Sequence, residues 1–122
     1  MKDLFVPYEI ARQLKEKGFN DSCFMWWYSP TQISDDLIFR QYKSDKDFCE
    51  APTHQQVINW LDTKGIVIEI QVDQTAEPKY CFQVLKYEHF GNYEKHEPSE
   101  WFLYRNRTEA TNVAIHEALK LI

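Results

Sequence analysis

Residues 52–87 read PTHQQVINWLDTKGIVIEIQVDQTAEPKYCFQVLKY, and the change of period within them decides the fold class. The first third is helical. Val57, Ile58 and Leu61 fall on one face, His54 lies one turn earlier on the same side, Trp60 sits at the flank, and Pro52 suits a first turn. This helix runs to Lys64 and stops at Gly65. The period then drops to two, with Ile66, Ile68, Ile70 and Val72 on one face and Glu69 and Gln71 on the other. A loop at 73–79, holding Pro78, leads into a second strand at 80–87. Tyr80, Phe82 and Val84 take one side of it, and Cys81, Leu85 and Tyr87 the other. A helix followed by two strands on a short connection points to antiparallel pairing and to the α+β class.

Upstream, a helix starts at Pro7. Val6, Ile10, Ala11 and Leu14 form its apolar face, Gly18 is placed to cap it, and Phe19 is placed to fold back on its end. Two apolar runs follow, CFMWWY at 23–28 and LIFRQY at 37–42, with a polar connection through Pro30, Asp35 and Asp36. They predict a hairpin with a long loop, and 43–50 a further loop. Downstream, 88–100 is polar, acidic and broken by Gly91 and Pro98, which predicts a loop. Residues 101–104 predict a short strand, and Thr108 the N-cap of a last helix carrying Ala110, Val113, Ala114, Ala118 and Leu121. The expectation is one α+β domain over residues 1–122, an antiparallel sheet of about four or five strands with about three helices.

Composition narrows the function. The chain has 122 residues and a formal charge of −5, from nineteen acidic and fourteen basic side chains, which works against generic affinity for phosphate backbones or anionic lipid. No apolar run approaches the roughly 18 residues of a membrane span, and the N-terminus lacks signal-peptide character. Cys23, Cys49 and Cys81 are odd in number and widely spaced, as in a reduced cytoplasmic protein without disulfides.

Each chemical motif meets a plainer reading. His89 and His96 lie seven apart among Glu88, Glu94, Glu97 and Glu100, a spacing without a metal-binding mechanism, so a solvated acidic loop is favoured. Cys23 and Cys81 sit in apolar runs. Cys49 is the one expected to be exposed, next to acidic residues that blunt a thiol. Three glycines scarcely build a phosphate loop, and Asp35-Asp36 reads as turn chemistry, so no cofactor and no catalytic residue is assigned. The second half has the α-β-β-β-α order of a double-stranded-RNA-binding domain, but its last helix offers Glu109 and Glu117 against a single Lys120.

What remains is a surplus of rings, 16% of the chain. On a strand, Phe24, Trp26 and Tyr28 share one face, and Cys23, Met25 and Trp27 the other. Trp26, Trp27 and Tyr28 are therefore the candidate protein interface, for a partner or for self-association. The alternative is that helices cover both faces and bury all three.

Three segments together, LFVPYEIARQLKEKGFNDSCF, EAPTHQQVINWLDTKGIVIEI and TNVAIHEALKLI, resemble a family of short proteins from Bacteroidetes phages, prophages and mobile elements. The resemblance spans most of the chain, apart from 29–50 and 88–100. It carries no catalytic motif and implies a phage-type accessory protein in a bacterial cytoplasm. The leading expectation is a small non-enzymatic interaction module. The alternatives are a nucleic-acid-associated protein using the α-β-β-β-α half, or a small enzyme whose site has no local motif.

Overall fold

The computed structural model describes residues 2–35, 49–73, 79–89, 92–96 and 103–122. In chain order these form a 3-10 turn (Lys2–Leu4), α1 (Tyr8–Glu16), β1 (Met25–Ser29), β2 (Gln32–Asp35), β3 (Cys49–Glu50), α2 (His54–Thr63), β4 (Ile66–Asp73), β5 (Lys79–His89), β6 (Asn92–His96) and α3 (Arg107–Leu119). The α+β class, the antiparallel pairing and the three helices are as expected. The strands divide between two three-stranded sheets, β2-β1-β3 and β4-β5-β6. The chain forms two compact units, Met1–Gln56 and Val57–Ile122, with the boundary inside α2.

In the first unit, Pro7 is the N-cap of α1, where its missing N–H costs nothing. Tyr8, Ile10, Ala11 and Leu14 are buried. Gly18, at φ 94°, closes the helix in the left-handed conformation. The Phe19 N–H then bonds Leu14 O at 2.9 Å and the Gly18 N–H bonds Lys15 O at 3.3 Å, the paired bonds of a Schellman cap. Phe19, the residue after the glycine, is buried.

The hairpin is tighter than its sequence led us to expect. β1 turns at Pro30 and Thr31 and pairs at once with Gln32–Asp35, so the partner is a polar segment directly after the turn. The run 37–42, expected as that partner, lies outside the described residues. The other neighbour of β1 is β3, two residues taken from the end of the expected 43–50 loop.

The start of α2 is set by a reciprocal cap. Thr53 Oγ1 accepts from the Gln56 N–H (3.1 Å), and Gln56 Oε1 accepts from the Thr53 N–H (2.9 Å). Pro52 therefore precedes the cap rather than occupying the first turn. Gln56 Nε2 also donates to Ser22 O at 3.0 Å, tying the helix start to the chain just before β1.

The second unit is a meander with a helix on one face. β4 and β5 pair from Ile66↔Lys86 to Asp73↔Lys79 without a bulge. Ile66, Phe82 and Val84 are buried on one face, and α3 packs against both strands. On that side Lys86 Nζ donates to Leu121 O at 3.3 Å, and the Arg107 guanidinium lies 5.3 Å from the Tyr80 ring centroid. The alanines of α3 (Ala110, Ala114, Ala118) are fully buried, letting the helix backbone approach the sheet closely. Asn106 caps α3, its Oδ1 accepting from the Glu109 N–H at 2.8 Å, so the cap lies two residues before the expected Thr108. β6 occupies part of the expected 88–100 loop. Of the expected strand 101–104, residues 101–102 fall outside the described residues, and Tyr104 forms an antiparallel bridge with Tyr80.

Candidate functional site

β1 is the central strand of the first sheet, and its alternation sorts the rings onto two different surfaces. Met25 and Trp27 point to the buried side, and Trp27 stands opposite Cys49 and Ile33 in the ladder. Trp27 retains 5% of its exposure. Its indole Nε1–H donates to Val6 O at 2.9 Å, so the polar end of the ring is satisfied inside the core. Tyr8 of α1 meets it edge-to-face, with centroids 6.5 Å apart. Trp27 is thus a core residue, a correction to its place among the candidate interface rings.

The opposite side is open. Phe24 is 63% exposed, and Trp26 and Tyr28 are half-buried. Ser34 and Glu50, the ladder partners of Trp26, share this face. Phe24 leans edge-on against Phe5, centroids 5.7 Å apart, while Phe5 itself is buried. The site that emerges is therefore Phe24, Trp26 and Tyr28 with Glu50 beside them. Phe24 precedes the strand yet continues its alternation. That signal was present in the sequence, whereas Glu50 joins through long-range pairing, for which nothing local speaks.

Two thiols and the Glu50 carboxyl gather around the start of β1. Cys23 Sγ donates to Asp21 O at 3.4 Å. Burial pushes the Cys23 thiol up to about 12, helped by the charge and hydrogen bond of Glu50 and by Asp21. Burial likewise raises the Glu50 carboxyl; its bond from Cys23 pulls it back, Asp21 raises it and Lys15 lowers it. Cys49 is buried, contrary to the expectation that it is the exposed cysteine, and Cys23 is the more open one. Burial holds Cys49 at about 11 against the opposing charges of Lys15 and Arg12, with Glu50 adding to the rise. Both thiols are protonated at neutral pH, and a protonated thiol is a poor nucleophile. All three cysteines are free.

His89 and His96 are strand residues rather than loop residues. His89 pairs with Asn92 beside the turn, while His96 pairs with Val84. The two positions therefore lie at opposite ends of the β5–β6 ladder. Among the described residues, no group of three His, Cys, Asp or Glu side chains is placed to hold a metal. No helix of the described residues is long and apolar enough to cross a membrane. Compared with protein-family models, curated proteins and solved structures, the chain matches none of them.

Proposed function

We propose that this chain is a small non-enzymatic interaction module of phage accessory type, which binds a protein partner through the Phe24, Trp26 and Tyr28 face. The observation that carries this reading is the asymmetry of β1: one face is sealed by α1 and the N-terminal segment, while the other presents three rings in line. Rings supply large contact area with few rotatable bonds, which is why Trp and Tyr anchor protein interfaces. The resemblance of three segments to phage and prophage proteins supports the setting. The test is affinity purification from phage-bearing bacterial cells with the native chain, Phe24→Ser and Tyr28→Ser. A protein retained by the native chain and lost from both variants, at unchanged melting temperature, is the expected result. Retention of the same proteins by all three chains would remove the reading.

A second reading draws on the element order α2-β4-β5-β6-α3, the order of a double-stranded-RNA-binding domain. Charge opposes it, because α3 exposes Glu109 beside Arg107, and the Arg107 guanidinium lies against Tyr80. An anisotropy titration with duplex RNA at physiological salt is expected to show no tight binding. Micromolar affinity with a steep salt dependence would shift the function to this half.

A further inference from the structure

The two sheets end differently. In the first, the outer strands are short among the described residues: β2 has four beside an irregular ladder, and β3 has two. In the second, β4 is an outer strand of eight residues, IVIEIQVD. Tyr80 exchanges both backbone bonds with Tyr104, at 2.9 and 2.8 Å, on the side of β5 away from β4. Its β4 partner Val72 therefore occupies a position whose backbone groups point away from β5. By alternation the N–H and C=O of Ile66, Ile68, Ile70 and Val72 all point to the outer edge. The bond from the Tyr87 N–H to Gly65 O (2.7 Å) sets the same phase at the other end. Among the described residues, none of these four has a backbone partner on that side.

Outer strands are normally blunted by shortness, proline, lysine or a bulge. Ile66–Val72 has none of these. Its one charge, Glu69, turns along the sheet, where its Oε2 accepts from Gln83 Nε2 at 2.6 Å. The strand opens towards its C-terminal end, with Gln71 exposed and Val72 41% exposed.

We propose that β4 pairs antiparallel with β4 of a second copy, about a two-fold axis at Ile70, joining two three-stranded sheets into one of six. In this register Ile70 faces its own equivalent, Ile68 faces Val72 of the second copy, and Glu69 faces Gln71 of the second copy. Apolar meets apolar, and the carboxylate meets an amide. The adjacent register, centred on Glu69, sets two carboxylates face to face. The register centred on Ile68 runs Gln71 against Gly65 and leaves the open end of the strand unused. One segment thus complements itself, which favours a second copy over a foreign strand. This inference rests on the second unit alone and is independent of the β1 face.

Sedimentation over a range of concentrations tests it. The native chain should show a concentration-dependent dimer. Ile70→Pro removes an N–H that bonds nothing in β5, so it should leave the monomer folded and abolish the dimer. Gln71→Glu sets carboxylates opposite each other at two symmetric places and should weaken the dimer roughly tenfold, while Gln71→Lys should tighten it by a similar factor. These exposed substitutions decide the matter should the proline variant fail to fold. A native chain that stays monomeric would overturn the proposal. So would a dimer insensitive to both Gln71 substitutions, or one that Phe24→Ser dissolves and Ile70→Pro does not.

Discussion

β1 and β4 are both apolar strands in three-stranded antiparallel sheets, and each leaves a different kind of surface unspent. β1 is central, so its backbone bonds are used on both sides, by β2 and β3; its surplus is side-chain surface, the rings of Phe24, Trp26 and Tyr28. β4 is outermost, so its apolar face is packed by α3 while its surplus is backbone, the groups at Ile66, Ile68, Ile70 and Val72 that have no partner on the outer side among the described residues. A strand has two faces and two edges, and filling one pair does not fill the other. The difference determines what can bind: a face accepts side chains of any fold, whereas an edge accepts only another extended strand.

The largest expected effect tests the division of β1. Trp27→Ala should cost about 3–5 kcal/mol in denaturant unfolding, because it removes a buried ring and strands the Val6 carbonyl. Phe24→Ala, one face over, should stay within about 0.5 kcal/mol. Equal losses at the two positions would break the comparison.

The helix ends that precede the two sheets sharpen it further. Gly18 and Gly65 both sit at positive φ, 94° and 75°, so alanine at either should cost about 1–2 kcal/mol. Around Gly18 an added Cβ meets nothing within 4 Å, whereas at Gly65 it meets Tyr87 Cβ at 3.4 Å. Gly65→Ala should therefore be the costlier, as measured by thermal melting. Thr53→Ala removes half of the reciprocal cap of α2 and should cost about 1 kcal/mol, recovered in part by Thr53→Ser.

A further effect is one of pH and belongs to the first unit. The thiols of Cys23 and Cys49, ordinarily at 9.0, are raised in the folded chain to about 12 and about 11. The folded chain then holds protons that the unfolded chain releases. Their contribution is fully present below pH 9.0 and is lost as pH climbs through the window up to about 12. Melting temperatures through that window should fall, and Cys23→Ser should flatten the decline. A decline unchanged in Cys23→Ser and Cys49→Ser would assign it to other groups.

Local patterns carried much of this fold. The Val6-Ile10-Leu14 stripe with Gly18 wrote α1 and its cap, the alternation of 66–72 wrote β4, and the parity of 24–28 separated Trp27 from Trp26 and Tyr28. Elements made by distant pairing were illegible. β3 is Cys49 and Glu50 at the end of a polar stretch, and only its position beside Trp26 and Trp27 makes it a strand. β6, Asn-Tyr-Glu-Lys-His, has weak strand propensity and exists through its ladder to β5. The burial of Cys49 follows from the same cause. β2 is illegible for a different reason: an outer strand of a hairpin need not be apolar, and Gln32–Asp35 carries no strand pattern of its own. The Thr53-x-x-Gln56 signature of the capping box, by contrast, is local and legible in the sequence.

Hydroxyl-radical footprinting with residue-level mass spectrometry tests the division of β1 most directly, because it reads both faces of one strand in one sample. The account predicts strong labelling of Phe24, intermediate labelling of Trp26 and Tyr28, and near silence at Met25 and Trp27, although methionine and tryptophan are intrinsically the more reactive side chains. Labelling of Met25 and Trp27 at the level of Phe24, or protection of all five, would contradict it.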